Sequence, residues 1–345
     1  MAEDVTSNPN HLPDPRLLRV LITGGAGFIG SHLSDLLLEQ GHVVTIVDNF
    51  STGRRENPRI VGSTDARRAR YRVVEGNASE IVPSLDARDF DCVYHLAAAV
   101  GVRLVVEKPI HTIETNITEA SAVLRFAAAR SLPILVASTS EVYGKGVRAP
   151  FGEDDDLVFG PPTVSRWSYG LSKAIDEHLA LASGARDGLP VTVARLFNTV
   201  GPRQRGRFGM VLPRFVDAAL AGEPLEVHGS GRQVRCFCDV RDVVGGLRRM
   251  IDSPACRGRV LNVGSDRPVT IDDLAAAVLR VTGATGGIRR VPHSEVFGSA
   301  FEDLAIRVPD VSAIRAAIGF EPAIPLDTTI ADVAASLAGI AGGRP

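Results

Sequence analysis

The feature that most constrains the fold is a glycine-rich segment between an apolar strand and an amphipathic helix. Residues 19–23 (RVLIT) predict a buried strand, residues 24–30 (GGAGFIG) follow directly, and residues 29–40 carry apolar side chains at helical spacing up to Gly41. Glycines at such a turn permit a tight bend and let the backbone approach a phosphate, while the helix N-terminus offers unpaired N–H groups. The segment therefore predicts a dinucleotide-binding strand–helix unit.

The rest of the first half continues the alternation of apolar strands and helices. Long helices are predicted at residues 110–130 and 169–183, and further strands at 43–47, 71–74, 92–96, 133–137 and 191–196. Continuously apolar strands that alternate with helices favour a parallel sheet covered on both faces. The fold class is therefore predicted as α/β, with a Rossmann-type doubly wound sheet.

From residue 199 onwards the pattern changes to helices joined by short strands. Helices are predicted at residues 211–221, 240–251, 271–281 and 328–337, and short strands at 225–227 and 260–263. We interpret residues 17–198 as a dinucleotide-binding domain and residues 199–345 mainly as a smaller C-terminal α/β substrate lobe. Because no linker separates them, we expect the chain to cross between the lobes. The polar residues 1–16 are expected to form a flexible leader.

Composition argues against several classes of protein. The net charge of -2 provides no basic surface for nucleic acid, and no apolar run is long enough to span a bilayer. The N-terminus lacks the basic and apolar stretches of a secretory signal. Cys236 and Cys238 have no second pair or nearby histidine to complete a metal site. Together with Cys92 and Cys256 they are expected to be reduced thiols in a cytoplasmic protein without a metal.

An acidic residue at the end of the second strand bears on the choice of cofactor. Asp48 follows the glycine segment by about twenty residues, the spacing at which a carboxylate accepts hydrogen bonds from the adenosine ribose. A carboxylate there would repel a 2′-phosphate, whereas Arg54 and Arg55 could bind one. Since Asp48 occupies the strand end itself, NAD is favoured over NADP.

A tyrosine and a lysine four residues apart form the candidate catalytic pair. Tyr169 and Lys173 share one face of a predicted helix. An ammonium beside a phenol lowers the pKa of the phenol and makes it usable as a base near neutral pH. The pair becomes specific because it follows a dinucleotide segment and a strand that ends in Ser138, Thr139 and Ser140.

Several motifs in a fixed order carry a resemblance that covers nearly the whole chain after the leader. They are TGGAGFIG at 23–30, HLAA at 95–98, STSEVYG at 138–144, Tyr169 with Lys173, RLFN at 195–198, GPR at 201–203 and RVPD at 307–310. In these motifs the chain resembles the extended short-chain dehydrogenases, in particular the NAD-dependent nucleotide-sugar epimerases, dehydratases and decarboxylases.

The resemblance implies roles for the matching positions. Thr139 would relay the proton of the sugar hydroxyl to Tyr169, and Lys173 would also bind the nicotinamide ribose, with Ser140 and Glu141 completing the catalytic set. NAD would be bound by Tyr169, Lys173, Gly24, Gly27, Phe28, Ile29, Gly30, Asp48, Asn49, Ser51, Thr52, Gly53, Asn77, Ala78, Leu96, Ala97, Ala98 and Ala99. A UDP-sugar substrate would be bound by Asn198, Arg203, Arg205, Val211, Arg235 and Arg307, the last two on the diphosphate.

Two residues depart from the family pattern, and a third bears on the reaction. Asn77 stands where relatives carry aspartate at the adenine. Glu141 stands where many 4-epimerases have a smaller residue and uronate decarboxylases have glutamate. The Asp-Glu pair that dehydratases carry directly after the threonine is absent, because Ser140 occupies the position of the aspartate. Arg205 lies in a segment that resembles UDP-glucuronate 4-epimerases, in which an arginine binds the sugar carboxylate. Such an arginine would stabilise the carboxylate against loss as carbon dioxide.

These motifs lead to an expected function with alternatives. The first is a UDP-glucuronate 4-epimerase that interconverts UDP-glucuronate and UDP-galacturonate by transient oxidation at C4, with Tyr169 as base. The alternatives are a UDP-glucuronate decarboxylase that forms UDP-xylose, and then a UDP-glucose 4-epimerase. A non-catalytic NAD-binding protein is disfavoured, because Tyr169 and Lys173 are both present. The resemblance also implies a homodimer that pairs the helices predicted at 110–130 and 169–183.

Overall fold

The structure is a computed structural model that describes residues 17–58, 64–101, 105, 107–206, 210–292, 295 and 304–341. The leader predicted at residues 1–16 lies outside these ranges. The strands are β1 Arg19–Thr23, β2 Val43–Asp48, β3 Tyr71–Glu75, β4 Cys92–His95, β5 Ile134–Thr139, β6 Val191–Leu196, β7 Thr199–Val200, β8 Leu225–His228, β9 Val234–Cys236, β10 Cys238–Asp239, β11 Arg259–Val263, β12 Pro268–Thr270, β13 Ile288–Val291 and β14 Ile306–Arg307. The helices are α1 Phe28–Glu39, α2 Asp65–Arg68, α3 Ala78–Ile81, α4 Pro109–Ala128, α5 Trp167–Asp187, α6 Val211–Leu220, α7 Val240–Asp252, α8 Ile271–Thr282, α9 Ser312–Ile318 and α10 Leu326–Ala341.

A seven-stranded parallel sheet in the order β3-β2-β1-β4-β5-β6-β11 forms the centre of the fold. The chain runs outward from β1 to β3 and then returns to the other side of β1 with β4. Loops at the carboxyl ends of β1 and β4 therefore diverge and leave a crevice, which is where open α/β sheets bind ligands. The predicted Rossmann-type doubly wound fold is confirmed.

Apolar side chains cover both faces of this sheet, as buried parallel strands require. On one face α1 and α7 pack together, with Leu33, Leu37 and Leu247 wholly buried. On the other face α4 and α5 pack on the sheet and on each other, with Val123 and Ala180 in the core.

The seventh strand comes from the second half of the chain. The sequence analysis assigned residues 260–263 to the smaller lobe, whereas β11 pairs in parallel with β6, with Val260 opposite Val193. Leu261 and Val263 are completely buried there. Pairing with β11 satisfies the backbone hydrogen-bonding groups of β6 and buries these side chains. The chain therefore returns to the large sheet after forming β7–β10 in the smaller sheets.

The smaller lobe consists of short sheets and three helices around their own core. The sheets are β8 with β13, β9 between β12 and β14, and β7 with β10. Helices α6, α8 and α10 enclose the buried residues Leu212, Phe215, Leu274 and Ile330. Thr270 begins α8, because its hydroxyl accepts the backbone N–H of Asp273 at 3.0 Å. This lobe faces the carboxyl ends of the large sheet.

All four cysteines are buried free thiols. Within the described ranges, no cluster of histidine, cysteine or acidic side chains could hold a metal ion. No helix in that part of the chain is long and apolar enough to cross a membrane.

Candidate active site

A cavity of about 660 Å³ opens where the carboxyl ends of the strands meet the smaller lobe. Of the predicted site residues, it is lined by Gly24, Gly27, Phe28, Ile29, Gly30, Asp48, Asn49, Ser51, Thr52, Ala78, Leu96, Ala97, Ala98, Ala99, Thr139, Ser140, Glu141, Tyr169, Lys173, Asn198, Arg203, Arg205 and Arg307. Gly53, Asn77, Val211 and Arg235 lie outside its lining. The fold thus brings residues more than 280 positions apart, from Gly24 to Arg307, into one groove.

At one end of the cavity, the glycine segment and the start of α1 form a surface suited to a pyrophosphate. Gly24 has a φ of 71°, a backbone conformation that side chains disfavour. A Cβ on Gly30 would stand only 2.2 Å from the carbonyl oxygen of Gly24. Gly27 begins α1 without a side-chain cap, so the N–H groups of the first turn remain available to an anion.

Asp48 connects the glycine segment to the loop that follows β2. Its carboxylate accepts the N–H of Ala26 at 2.9 Å and the N–H of Phe50 at 2.8 Å. Burial raises the pKa of Asp48 above its ordinary value, although these backbone hydrogen bonds oppose the shift. Each carboxylate oxygen has a second lone pair for a ribose hydroxyl.

The two arginines that could have favoured NADP are engaged elsewhere. Arg55 pairs with Glu75 and lies 4.3 Å over the ring of Phe50, and Arg54 lies 3.4 Å from Glu56. With a carboxylate at the strand end and uncapped amides at the helix start, the residues present fit NAD.

Gly53 and Asn77 pack against Asp48 and Asn49 at the carboxyl end of β2. A Cβ on Gly53 would lie 2.9 Å from Asp48, so glycine permits the close packing of this loop. The Asn77 amide oxygen accepts the side-chain N–H of Asn49 at 2.8 Å, and its nitrogen donates to Glu80 at 3.2 Å. Direct contact of these two residues with a cofactor stays a prediction.

The candidate catalytic residues meet at the end of β5. The Thr139 hydroxyl accepts the N–H of Glu141 at 3.2 Å, and the interaction of Thr139 with the phenol of Tyr169 opposes the rise in pKa that burial causes there. Lys173, one turn after Tyr169 on α5, is almost fully buried and donates to Asp176 at 2.7 Å. Thr139 and Tyr169 can therefore pass a proton between them.

The pKa of Tyr169 is raised, whereas the sequence analysis expected Lys173 to lower it. Burial raises the pKa of Tyr169 well above its ordinary value, and the charges of Glu141 and Asp176 raise it further. The prediction of a lowered pKa is therefore wrong for the protein alone. The physical reason is the burial of the phenol, to which the negative charges of Glu141 and Asp176 add.

Glu141 and two arginines form a charged cluster beside Thr139. The carboxylate of Glu141 accepts a hydrogen bond from Arg307 at 2.6 Å and lies 3.6 Å from Arg166. Burial alone would raise the pKa of Glu141, but Arg307 and Arg166 outweigh it and lower the pKa below the ordinary value. Sequence reasoning missed Arg166, although its position three residues before Tyr169 places it one helical turn away.

The remaining predicted substrate residues differ in what they contact. Arg203 has a φ of 71°, donates to Ser31 at 3.1 Å and pairs with Asp35 at 2.5 Å, so its guanidinium is held against α1. The positive charge of Arg205 acts on the carboxyl of Asp217 and opposes the rise in pKa that burial causes there.

Asn198, Arg235 and Val211 stand at the border of the smaller lobe. The Asn198 amide donates to the carbonyl of Cys236 at 3.1 Å. Arg235 donates to the carbonyl of Val234 at 2.9 Å, and its charge helps to lower the pKa of Glu141. Val211 is the first residue of α6. A substrate role for all three stays a prediction.

With this site described, the comparisons with known proteins identify the family. Residues 20–264 match the profile of the NAD dependent epimerase/dehydratase family, more than half of the chain. The chain belongs to this family. The predicted resemblance to NAD-dependent nucleotide-sugar enzymes is confirmed, and so is NAD as the cofactor.

Two curated relatives are decarboxylases. The chain is 40% identical to the UDP-N-acetyl-alpha-D-glucosaminuronate decarboxylase of Bacillus cytotoxicus, over 88% of this chain and 92% of that protein. It is 36% identical to UDP-glucuronic acid decarboxylase 1 of Xenopus tropicalis, over 90% of this chain and 69% of that protein.

Among solved structures, one similar protein is the UDP-glucuronic acid 4-epimerase of Bacillus cereus in complex with UDP-glucuronic acid and NAD. The TM-score is 0.82 at 25% identity, with 94% of this chain and 100% of that chain covered. The nucleotide-sugar class is therefore common to the sequence and structural relatives, whereas the type of reaction differs between them.

Proposed function

We propose that this protein is an NAD-dependent decarboxylase that removes the C6 carboxylate of a UDP-hexuronate. The observation that carries the proposal is the 40% identity to a UDP-hexuronate decarboxylase over 92% of that protein's length. Glu141, which the sequence analysis associated with uronate decarboxylases, supports it by its place beside Thr139 in the cavity. The 4-epimerase favoured by the sequence analysis becomes the second candidate.

The first part of the reaction concerns the proton on the C4 hydroxyl of the sugar. NAD held by the glycine segment and Asp48 would supply the oxidising group that accepts and later returns the C4 hydrogen with its electron pair. Thr139 and Tyr169 line the same cavity, so a hydroxyl bound at Thr139 can pass its proton to Tyr169 once the phenol has ionised. Lys173 on the same helix face supplies positive charge, and Asp176 limits how much of it reaches the phenol.

Once C4 is a ketone, a hexuronate is a β-keto acid. The bond between C5 and C6 breaks, its electron pair forms the enolate of the C4 ketone, and carbon dioxide leaves. Hydrogen bonds from Thr139 and the now protonated Tyr169 stabilise the enolate oxygen. C5 must then take up a proton. The cluster of Glu141 with Arg166 and Arg307 lies beside Thr139 and provides polar groups that can hold a water molecule for this step.

The charge that would surround the sugar carboxylate bears on the choice between the two candidates. Arg205 lines the cavity, which favours the 4-epimerase, because an arginine paired with the carboxylate would retain it. Asp217 lies close enough for its carboxyl to interact with Arg205, so part of that positive charge is already balanced. This balance weakens the hold that Arg205 has on a substrate carboxylate and supports decarboxylation.

One incubation distinguishes the candidates. The protein is given NAD with UDP-glucuronate and, separately, with UDP-N-acetylglucosaminuronate, and both the sugar product and carbon dioxide are measured. We expect gas with one of the two substrates, and UDP-xylose if that substrate is UDP-glucuronate. UDP-galacturonate without gas would establish the 4-epimerase instead.

A pair of variants tests the contribution of the charged cluster. Glu141→Gln removes the charge beside Thr139 and is expected to lower kcat for gas release by tenfold or more, since one good hydrogen bond to a charged group corresponds to about 1.5–3 kcal/mol. Glu39→Gln changes an exposed glutamate on the far side of α1 and is the matched control. Equal rates for both variants would remove Glu141 from the proposed reaction.

We also propose that the protein is a homodimer that pairs α4 and α5 with the same helices of a second copy. These helices carry the exposed apolar side chains Ile110, Ile113, Leu171 and Ile175. Exposed apolar side chains grouped on two adjacent helices are typical of an interface. Cytoplasmic localisation stays a prediction.

A further inference from the structure

Asp176 is a buried acidic residue that binds the candidate catalytic lysine. It lies one helical turn after Lys173 on α5 and accepts the lysine Nζ at 2.7 Å, with side-chain exposures of 0% and 2%. Its second oxygen, Oδ1, is buried and has no hydrogen-bond partner among the described residues. A buried carboxylate left half-satisfied is costly to the fold and calls for an explanation.

We propose that Asp176 is a positioning residue for Lys173, which fixes the direction of its ammonium group and opposes its charge at Tyr169. An ammonium has three N–H donors. One is committed to Asp176, which leaves two for the groove and the nicotinamide ribose expected there. The proposal rests on the Tyr169 and Lys173 chemistry proposed above and does not depend on which product is formed.

The charges around the pair support this arrangement. Groups that interact electrostatically with Lys173 or Asp176 are Glu177 on α5, Glu119 on α4 and His95 on β4, whereas Glu141 in the turn after β5 acts on Tyr169. Burial lowers the pKa of His95 to about 3, so this imidazole is neutral, and Glu177 is paired with Arg195. Lys173 is therefore the positive charge in contact with Asp176, while Arg166, one turn before Tyr169, lies beside Glu141.

Because Asp176 lies in contact with Lys173, its negative charge opposes the field of the ammonium at the phenol. Burial is the main reason that the pKa of Tyr169 is raised, and Asp176 adds to it. Removing the charge of Asp176, while keeping an oxygen that accepts from Nζ, should make the phenol more acidic. Asp176→Asn makes this change.

The first experiment uses the protein without NAD or nucleotide sugar. Near-ultraviolet tyrosinate absorbance is titrated for the wild type and for Tyr169→Phe; the sequence has four tyrosines, so the difference isolates Tyr169. We expect it to ionise above the ordinary value of about 10. A pKa of Tyr169 at or below this ordinary value would overturn the proposal, and this test requires no substitution of Asp176.

The second experiment compares Asp176→Asn with Asp187→Asn, an exposed site at the end of the same helix. In Asp176→Asn we expect the titration of Tyr169 and the acid limb of the kcat/KM profile to move down by about one pH unit. The dissociation constant for NAD, from calorimetry, should stay within about threefold. Asp187→Asn should change neither.

A merely structural Asp176 would give a different result. It would lower the thermal stability and the NAD affinity of Asp176→Asn while the titration of Tyr169 stayed in place, and that outcome overturns the proposal. If Asp176→Asn does not fold, Asp176→Ser leaves room for a water beside the ammonium and carries the same expected shift. Failure of the decarboxylase proposal would appear only in the product, since the titration needs no substrate.

Discussion

Replacing Gly30 by alanine tests how the start of α1 binds NAD. The new Cβ would stand 2.2 Å from the Gly24 carbonyl oxygen and 2.8 Å from the Cα of Gly25, both backbone atoms that cannot rotate away. Opening the first contact to a tolerable 3.0 Å moves the helix and the glycine segment apart by about 0.8 Å. The amides that would donate to the pyrophosphate move with them.

The size of the effect follows from that displacement. Hydrogen bonds of about 2.9 Å would lengthen to about 3.7 Å, beyond the range in which they contribute. Losing two bonds to a charged group, each about 1.5–3 kcal/mol, weakens binding by about 3–6 kcal/mol. The dissociation constant for NAD should therefore rise between about 100-fold and 10,000-fold.

Isothermal titration calorimetry with NAD measures this directly, and the chain offers a matched control. Gly245 lies inside α7, and a Cβ there would meet nothing within 4 Å. Gly245→Ala should leave NAD affinity unchanged and stabilise the fold by up to about 1 kcal/mol. If Gly30→Ala binds NAD as tightly as the wild type, the assignment of this loop to the pyrophosphate is wrong.

Four further predictions concern catalysis, stability and assembly. Tyr169→Phe should abolish turnover but keep NAD bound in calorimetry; substantial remaining turnover would exclude Tyr169 as the base. Arg195→Met should lower the free energy of unfolding in urea by about 3–5 kcal/mol, because it leaves the buried Glu177 carboxylate unpaired. A loss below about 1 kcal/mol, which is typical of an exposed ion pair, would contradict this prediction. Burial lowers the pKa of His95 to about 3 in the folded state, against about 6.5 in the unfolded state. The unfolded state therefore binds one more proton between these values, and the free energy of unfolding falls as the pH falls from about 6.5 to about 3. His95→Gln should reduce this dependence of the free energy of unfolding on pH, and an unchanged dependence would refute the prediction. Ile175→Glu should convert a dimer to a monomer in sedimentation, whereas Ile288→Glu, equally exposed in the smaller lobe, should not; a wild-type monomer would end the dimer proposal.

Local patterns in the sequence determined the elements and the cofactor site. The glycine segment, Asp48 at a strand end and the spacing of Tyr169 and Lys173 are all contiguous or nearly so, and their chemistry depends on neighbours in the chain. Hydrophobic periodicity likewise predicted most strands and helices, because one face of each element packs against the same core.

Tertiary structure alone decided which distant groups meet. It placed β11 in the large sheet, Glu141 against Arg307, and Arg203 against Asp35. These contacts join residues that are more than sixty positions apart, and no local pattern encodes them. The pKa of Tyr169 shows the same limit, because it sums burial and charges from several elements. The sequence analysis placed epimerisation before decarboxylation because of the local segment around Arg205. The Tyr169 and Lys173 pair would serve both reactions, and the groups that would surround the sugar carboxylate come from several elements.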